Sequence, residues 1–390
     1  EEPLQKCEAF RSPRSGGARR GAQDMGRCSV IPFLFWLLLP CLGSMRKPVQ
    51  SLVASSGDAP NVYVVESIGN GHCRTKFHDS LFSELRKRSV SDPSQADLFF
   101  IDIDTMKMLL WPDYWNIAKC NYDWVRGEDT ESIIYMRTMD AFAQKHNISD
   151  GQRFVYFDNE QSTRTELGVD NSTQFLHHPM HARLKSQNVE FVALAGVKPD
   201  SEKFGTMNLL VPIQPKYMDD KRAIPGMKER KFLATFHGRS QSNPTVRGGV
   251  LGLSSRVENC TTKPCEINLV DTTTLQHDES EEYVMSLMNS QFCFCPRGNN
   301  HFSLRIAEAL RYGSIPVIID DLMTDPYRVD MRDWAVVIPE DRIQNAGTIL
   351  HEISHGEKET LAQNGAAMYR KCVSSMQGVV ECMLQGLRKS

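Results

Sequence analysis

The stretch from Gln291 to Asp321 constrains the fold more than any other, because it reads as strand, turn, helix, turn and strand in immediate succession. The apolar run Gln291 to Cys295 predicts a strand, stopped by Pro296 and Gly298, which do not continue a central ladder. Beyond the turn, Ile306, Ala309 and Leu310 recur at helical spacing and would pack on a sheet, while Arg305 and Glu308 point elsewhere. Gly313 is placed to end that helix, and Ile315 to Ile319 is the β-branched run of a buried parallel strand. The unit is βαβ.

A helix that starts at the carboxyl end of a parallel strand aims backbone N–H groups into the crevice where such sheets bind ligands. Phosphate suits that place. Arg297 in the turn and Arg305 in the first helical turn add positive charge with a planar fork that matches phosphate oxygens. Glu308, one turn further, has the wrong sign for phosphate but the acceptors for two vicinal ribose hydroxyls. The competing reading of Arg305 and Glu308 is an i,i+3 surface pair.

Cys293, Cys295, Pro296, Gly298, Ser303, Arg305, Glu308, Ala309, Gly313, Pro316 and Val317 fall on a known signature. It runs Phe-Cys-x-Cys-Pro-x-Gly, then Ser-x-Arg-x-x-Glu-Ala, then Gly-x-Ile/Val-Pro-Val-Ile, and it resembles that of the exostosin-type glycosyltransferases, glycosyltransferase family 47. The resemblance implies that this element holds the nucleotide of a sugar-nucleotide donor. Further upstream, Phe236-His237-Gly238, followed after a short loop by Arg247-Gly248, resembles a second segment of the family. Gly238 would let the backbone approach a phosphate closely, and Arg247 would be a second clamp on the diphosphate. The donor set expected from residues and resemblance together is Gly238, Arg247, Arg297, Gly298, Ser303, Arg305 and Glu308.

With 390 residues the chain has room for two domains, and its hydrophobic fraction of 41% and charged fraction of 24% are those of a globular protein. A net charge of −3 speaks against a polyanion-binding surface, so nucleic acid is not an expected partner. The Arg-, Gly- and Ser-rich start predicts disorder over 1–24, an extension that need not be translated if Met25 is the true start. The apolar run from Val30 to Leu42 then reads as a signal peptide or a Golgi-type signal anchor within 25–44. Sequons at Asn147, Asn171 and Asn259 fit a lumenal chain. Cys260 and Cys265 bracket a short loop and are the nearest candidates for a disulfide, with Cys372 and Cys382 as a weaker pair.

A linker over 45–60 precedes Asn61 to Val65, the first of several apolar strands. Ala96 to Ile103, Arg153 to Phe157 and Glu190 to Leu194 follow, with helical stretches at Phe77 to Arg88 and Glu131 to Lys145 between them. Alternation of this kind predicts a parallel sheet covered on both faces. The expected layout is a first Rossmann-like, acceptor-side domain over 61–215, a linker over 216–230, and a nucleotide-sugar-binding Rossmann-like domain over 231–345. Carboxyl-terminal helices fill 346–390. A short helix at Glu281 to Ser290 and a strand at Trp334 to Ile338 flank the signature. The fold class is therefore α/β, with two Rossmann-like domains facing a cleft, the type known among glycosyltransferases as GT-B.

Sugar transfer from a nucleoside diphosphate needs a stabilised leaving diphosphate and a base for the acceptor hydroxyl. Asp102-Ile-Asp104 looks like a metal-binding motif, and the pleat puts both carboxylates on one side. A strand-end Asp pair is more often a cap or turn signal, and the resemblance implies a metal-independent, inverting enzyme, so no metal and no cofactor are expected. Asp102, Asp104, Asp158 and Glu160 are the candidate bases, with Asp158 preferred because it directly follows a strand. His177, His178 and His181 read as polar surface rather than as ligands. The expected function is an exostosin-like transferase of the Golgi lumen using a UDP-sugar and a glycan or polysaccharide acceptor, with a Golgi membrane anchor and a complex with another glycosyltransferase as further expectations. A catalytically silent, lectin-like or partner subunit of a glycan-synthesising complex is the alternative.

Overall fold

The computed structural model describes residues 59–66, 76–102, 131–148, 153–158, 190–193, 207–210, 221–258, 260–272, 280–298, 303–321 and 323–388. The expected extension 1–24, the signal segment 25–44 and most of the linker 45–60 lie outside them, as do Asp104, Glu160, Asn171, Asn259 and the His177, His178 and His181 cluster.

The first sheet follows the chain in order: β1 (Val62–Glu66), then helix α1 (Lys76–Lys87), β2 (Leu98–Asp102), helix α2 (Glu131–His146), β3 (Arg153–Asp158), β4 (Glu190–Ala193) and β5 (Met207–Leu210). All its pairings are parallel, and neighbours in space are neighbours in sequence. Every residue of β2 is buried, so the strand needs apolar cover on both faces. Leu98 and Phe100 join Leu81, Phe82 and Leu85 of α1, while Phe99 and Ile101 join Met139 of α2.

The second sheet comprises β6 (Phe232–Gly238), helix α3 (Val246–Leu251), β7 (Ile267–Asp271), helix α4 (Ser280–Met288), β8 (Ser290–Pro296), helix α5 (Arg305–Arg311), β9 (Ile315–Ile319) and β10 (Val336–Val337). Its strands are parallel in the order β10-β9-β8-β6-β7. Leaving β6, the chain builds β7 on one side and then returns to build β8 on the other. The border of β6 and β8 is thus a topological switch point, the place where such sheets open a crevice beyond their carboxyl ends.

Burial explains why the signature forms this unit. All of β8 and β9 is buried, and α5 lays Ile306, Ala307, Ala309 and Leu310 against the sheet. Gly313 ends the helix at φ +69°, a conformation that glycine takes without a Cβ clash. The strand expected from Trp334 to Ile338 is only Val336–Val337. Trp334 and Ala335 instead hydrogen-bond through their amides to the Met331 carbonyl at 3.2 and 2.8 Å, closing a short helical turn that seats the Trp334 side chain in the core.

After β10 come helices α6 (Ala346–Glu352) and α7 (His355–Met368), a widened turn at Tyr369–Val373, and α8 (Met376–Arg388). Ser354 caps α7, its hydroxyl accepting from the Glu357 amide at 3.2 Å. In α8 the residues Val379, Val380, Met383, Leu384 and Leu387 form one apolar stripe. That stripe belongs to a single cluster reaching Val62, Phe82 and Leu98 of the first sheet and Leu310, Tyr312 and Trp334 of the second. Arg88 reaches Glu381 at 2.5 Å, and Arg153 donates to the Leu387 carbonyl at 3.3 Å. The carboxyl-terminal helices therefore join the two sheets into one core. Disulfides link Cys372 to Cys382, across the turn into α8, and Cys260 to Cys265, with Cα separations of 5.5 and 5.9 Å. Cys293 and Cys295 are free thiols buried in β8.

At the amino ends of the second sheet, Arg230 is buried and donates to the carbonyls of Leu287, Ser290 and Tyr312 at 3.1, 2.7 and 2.9 Å. The last residue of the stretch read as a linker is thus built into the second sheet's support.

Candidate functional site

The carboxyl ends of β6 and β8 carry Gly238 and the turn Pro296-Arg297-Gly298, side by side at the switch point. Two arginines converge there. Arg247, near the start of α3, donates through Nε to the Arg297 carbonyl at 3.2 Å, so its guanidinium lies along the turn. A Cβ on Gly298 would stand 2.5 Å from Arg247 Nη2 and 2.9 Å from its Cζ, so a side chain here would displace that guanidinium. Asn243 secures the same approach, accepting from the Val246 amide at 3.1 Å and donating to the Gly298 carbonyl at 3.4 Å.

Arg305 comes from the other side, at the start of α5. Its Nη2 donates to the His237 carbonyl at 2.6 Å and its Nη1 to the Ser303 hydroxyl at 3.4 Å. Its Cζ lies 4.8 Å from the centre of the Phe236 ring, a cation–π distance. Gly238 makes room for this packing, since a Cβ there would be 2.6 Å from Phe236 Cζ and 3.1 Å from Arg305 Nη2. The hydrogen-bond acceptors of Arg305 are a carbonyl and a hydroxyl, neither of them charged, its buried Nε has no hydrogen-bond partner among the described residues, and the Glu308 carboxylate on the same helix is close enough to favour its charged form. Ser303 is itself buried and precedes α5 rather than capping it, and its carbonyl accepts from the Ile306 amide at 3.0 Å.

Arg297 does something other than expected. Its Nε and Nη2 form a fork on Glu340 at 2.5 and 3.2 Å, so its charge is matched by a carboxylate. Glu340 also accepts from the Asp321 amide at 3.4 Å and donates its own amide to Asp321 at 3.2 Å. Arg297 accordingly braces the turn against the segment after β10.

Beside these arginines lies a polar group of four residues. Tyr283 of α4 donates to Glu308 Oε2 at 2.6 Å. The His237 ring centre is 5.7 Å from that of Tyr283, and the Asn268 amide is 3.2 Å from His237 Nε2. Burial, then the charge of Arg305, pushes the His237 imidazole down to about 4, so the ring is neutral near pH 7 and Nε2 accepts from the amide. An arginine pair, two glycines that permit close approach and a carboxylate one helical turn deeper make a site suited to a phosphorylated ribonucleotide.

Residues 57–353 match the family model of the Exostosin GT47 domain. The chain belongs to the exostosin GT47 family. It is a glycosyltransferase of that family, whose members take a nucleotide-sugar donor and a glycan acceptor. Among its relatives is the Exostosin-1 homolog of Caenorhabditis elegans, 26% identical over 313 residues that cover 76% of this chain and 75% of that protein. The probable glucuronoxylan glucuronosyltransferase IRX7 of Arabidopsis thaliana is 26% identical over 333 residues, 79% of this chain and 68% of that protein. The probable glucuronosyltransferase GUT1 of Oryza sativa is 28% identical over 148 residues, 36% of this chain and 34% of that protein.

The first sheet of this exostosin-family chain places its acidic candidates differently from one another. Asp102 ends β2 with its side chain buried toward α1. Its Oδ1 lies 3.3 Å from His78 Nε2 and its Oδ2 pairs with Arg86, which also holds Glu66 at 3.0 Å. Asp102 is thus committed to packing α1 on the sheet. Asp158 closes β3 at the carboxyl edge, in register with Ala193 of β4. Asn147 is exposed just beyond α2, at φ 55°.

Sequence reasoning missed His237, Tyr283, Glu340 and Asn243 among the residues gathered at this switch point. His237 stood inside a quoted motif, between Phe236 and Gly238, and its position at a strand end was the available signal. Glu340 lies 43 residues from Arg297 and Tyr283 lies 25 from Glu308, and nothing local marks either partner.

Proposed function

We propose that the chain is an inverting glycosyltransferase of the secretory pathway, moving a sugar from a UDP-sugar to a glycan or polysaccharide acceptor. The observation that carries this reading is the convergence of Arg247 and Arg305 on the switch point between Gly238 and Gly298. There the two guanidiniums would hold the diphosphate, and Glu308 the ribose hydroxyls. The acceptor oxygen attacks the anomeric carbon from the face opposite the diphosphate. A carbon–oxygen bond to the acceptor forms as the bond to the diphosphate breaks, UDP leaves with the electron pair, and the hydroxyl proton passes to a base. Inversion follows from this single displacement. Asp158, at the carboxyl edge of the first sheet, is the base this reading prefers.

Fixed cationic donors can stabilise the leaving group where other transferases use a divalent ion. Pairing of Asp102 with Arg86 supports the metal-independent form, because a guanidinium on that carboxylate competes with a cation. Two of the three relatives named above carry the name glucuronosyltransferase, so UDP-glucuronic acid is the first donor to try. The test is nucleotide release across the common UDP-sugars with a panel of oligosaccharide acceptors, with and without chelator. Acceptor-stimulated UDP release, unchanged by chelator, is the expected result. A chain that binds UDP but releases none with any donor would instead be a silent subunit.

A further inference from the structure

The unassigned feature closest to this chemistry is the phenol of Tyr283, which comes from α4 rather than from the signature helix. Its hydroxyl donates to Glu308 Oε2 at 2.6 Å, a short bond of the charge-assisted kind. Burial, reinforced by the adjacent Glu308 carboxylate, raises its pKa well above the ordinary phenol value, so the group stays protonated and keeps donating. On its other side the ring meets His237, whose backbone carbonyl is the acceptor for Arg305. The phenol thus spans from the strand that positions the arginine to the carboxylate on the helix.

Glu308 lies one turn beyond Arg305 on α5, and residues three apart on a helix sit about 5–6 Å apart on one face. That spacing resembles the span of a nucleoside from its 5′ phosphate to its ribose diol. A glutamate carboxylate has about four acceptor directions on two oxygens, and on an exposed helix face it would sample several rotamers. A fixed donor on Oε2 selects one.

We propose that Tyr283 is a positioning residue that locks the Glu308 carboxylate for the ribose hydroxyls, and so sets the preference of the site for ribonucleotides over deoxyribonucleotides. This rests on the donor-site reading above and adds to it the residue that makes Glu308 selective. Tyr283 does not touch the reacting atoms. It acts through Glu308, and a selective loss of the ribose preference separates this role from that of a residue that merely supports the fold.

The experiment is calorimetry of the full chain with UDP and with 2′-deoxy-UDP, for wild type, Tyr283→Phe, Glu308→Ala and the double variant. Hydrogen bonds to a charged group are worth about 1.5–3 kcal/mol, or roughly 10- to 100-fold, so wild type should prefer UDP by about that factor. In Tyr283→Phe the preference should fall to about threefold, with the affinity for 2′-deoxy-UDP unchanged. Glu308→Ala should lose the preference altogether, and the double variant should be no worse than Glu308→Ala, because the two residues act as one. Equal weakening of both nucleotides by Tyr283→Phe, or an intact preference, would overturn the assignment while leaving the donor site standing. Wild type that binds neither nucleotide would overturn the donor-site reading, and this inference with it.

Discussion

Replacing His237 by Gln should remove a large part of the loss of stability in acid. The ring is 4% exposed, and burial together with the Arg305 charge holds its pKa near about 4 in the folded chain. In the unfolded chain the same imidazole titrates near about 6.5. Between those values the unfolded state binds a proton that the folded state does not. Stability from this group is therefore complete above about pH 6.5 and drains away as the pH falls toward about 4. At about 1.4 kcal/mol per pH unit, the whole span is worth on the order of 3 kcal/mol, most of it gone by about pH 4.5. The assay is urea unfolding of wild type and His237→Gln at neutral pH and at about pH 4.5. Other carboxylates and histidines titrate in both proteins, so the difference between the two acid shifts isolates His237. Wild type should lose roughly 2–3 kcal/mol more than the variant over that interval. Parallel losses would refute the reasoning, since they would mean that the folded chain accepts the proton as readily as the unfolded one.

Gly298→Ala should leave the fold nearly as stable, because its Cβ meets the mobile end of Arg247, but should weaken UDP binding about tenfold by displacing that guanidinium, as calorimetry would register. Arg297→Ala and Glu340→Ala should each cost about 2–3 kcal/mol, since the fork is mostly buried, and the double variant should cost less than their sum in denaturant unfolding. Replacing Cys372 and Cys382 by Ala opens a loop with a separation of 10 residues and should cost about 2–3 kcal/mol, read as a lower urea midpoint that reduction no longer changes.

The signature unit was legible because its strands are buried on both faces. A strand such as β9, with every residue enclosed, must be an unbroken apolar run, and Gly313 marks the helix end by a conformation few other residues adopt. Strand β7 was overlooked for the opposite reason. Among the described residues it pairs with β6 alone, and Asn268, Leu269 and Val270 are half-buried, so its sequence lacks the unbroken apolar run of β9. Trp334 has a strand-favouring side chain, yet its amide and that of Ala335 are taken by a local turn, a competition that composition does not reveal. The three arginines stand out in the sequence through their motifs, but their different surroundings do not. Arg297 and Arg305 look alike in sequence, and it is Glu340, folded back from beyond the last strand, that gives Arg297 a carboxylate partner. The strand order that makes β6 and β8 neighbours is likewise invisible to local pattern, because it depends on which side of β6 the chain adds each later strand.

The central claim is that guanidinium charge at the switch point receives a diphosphate. Titration calorimetry of UDP into wild type and Arg305→Ala measures it most directly. The account predicts micromolar-class binding by wild type and a loss of at least about tenfold in the variant, the value of one charge-assisted contact. Equal affinities in the two proteins would contradict it.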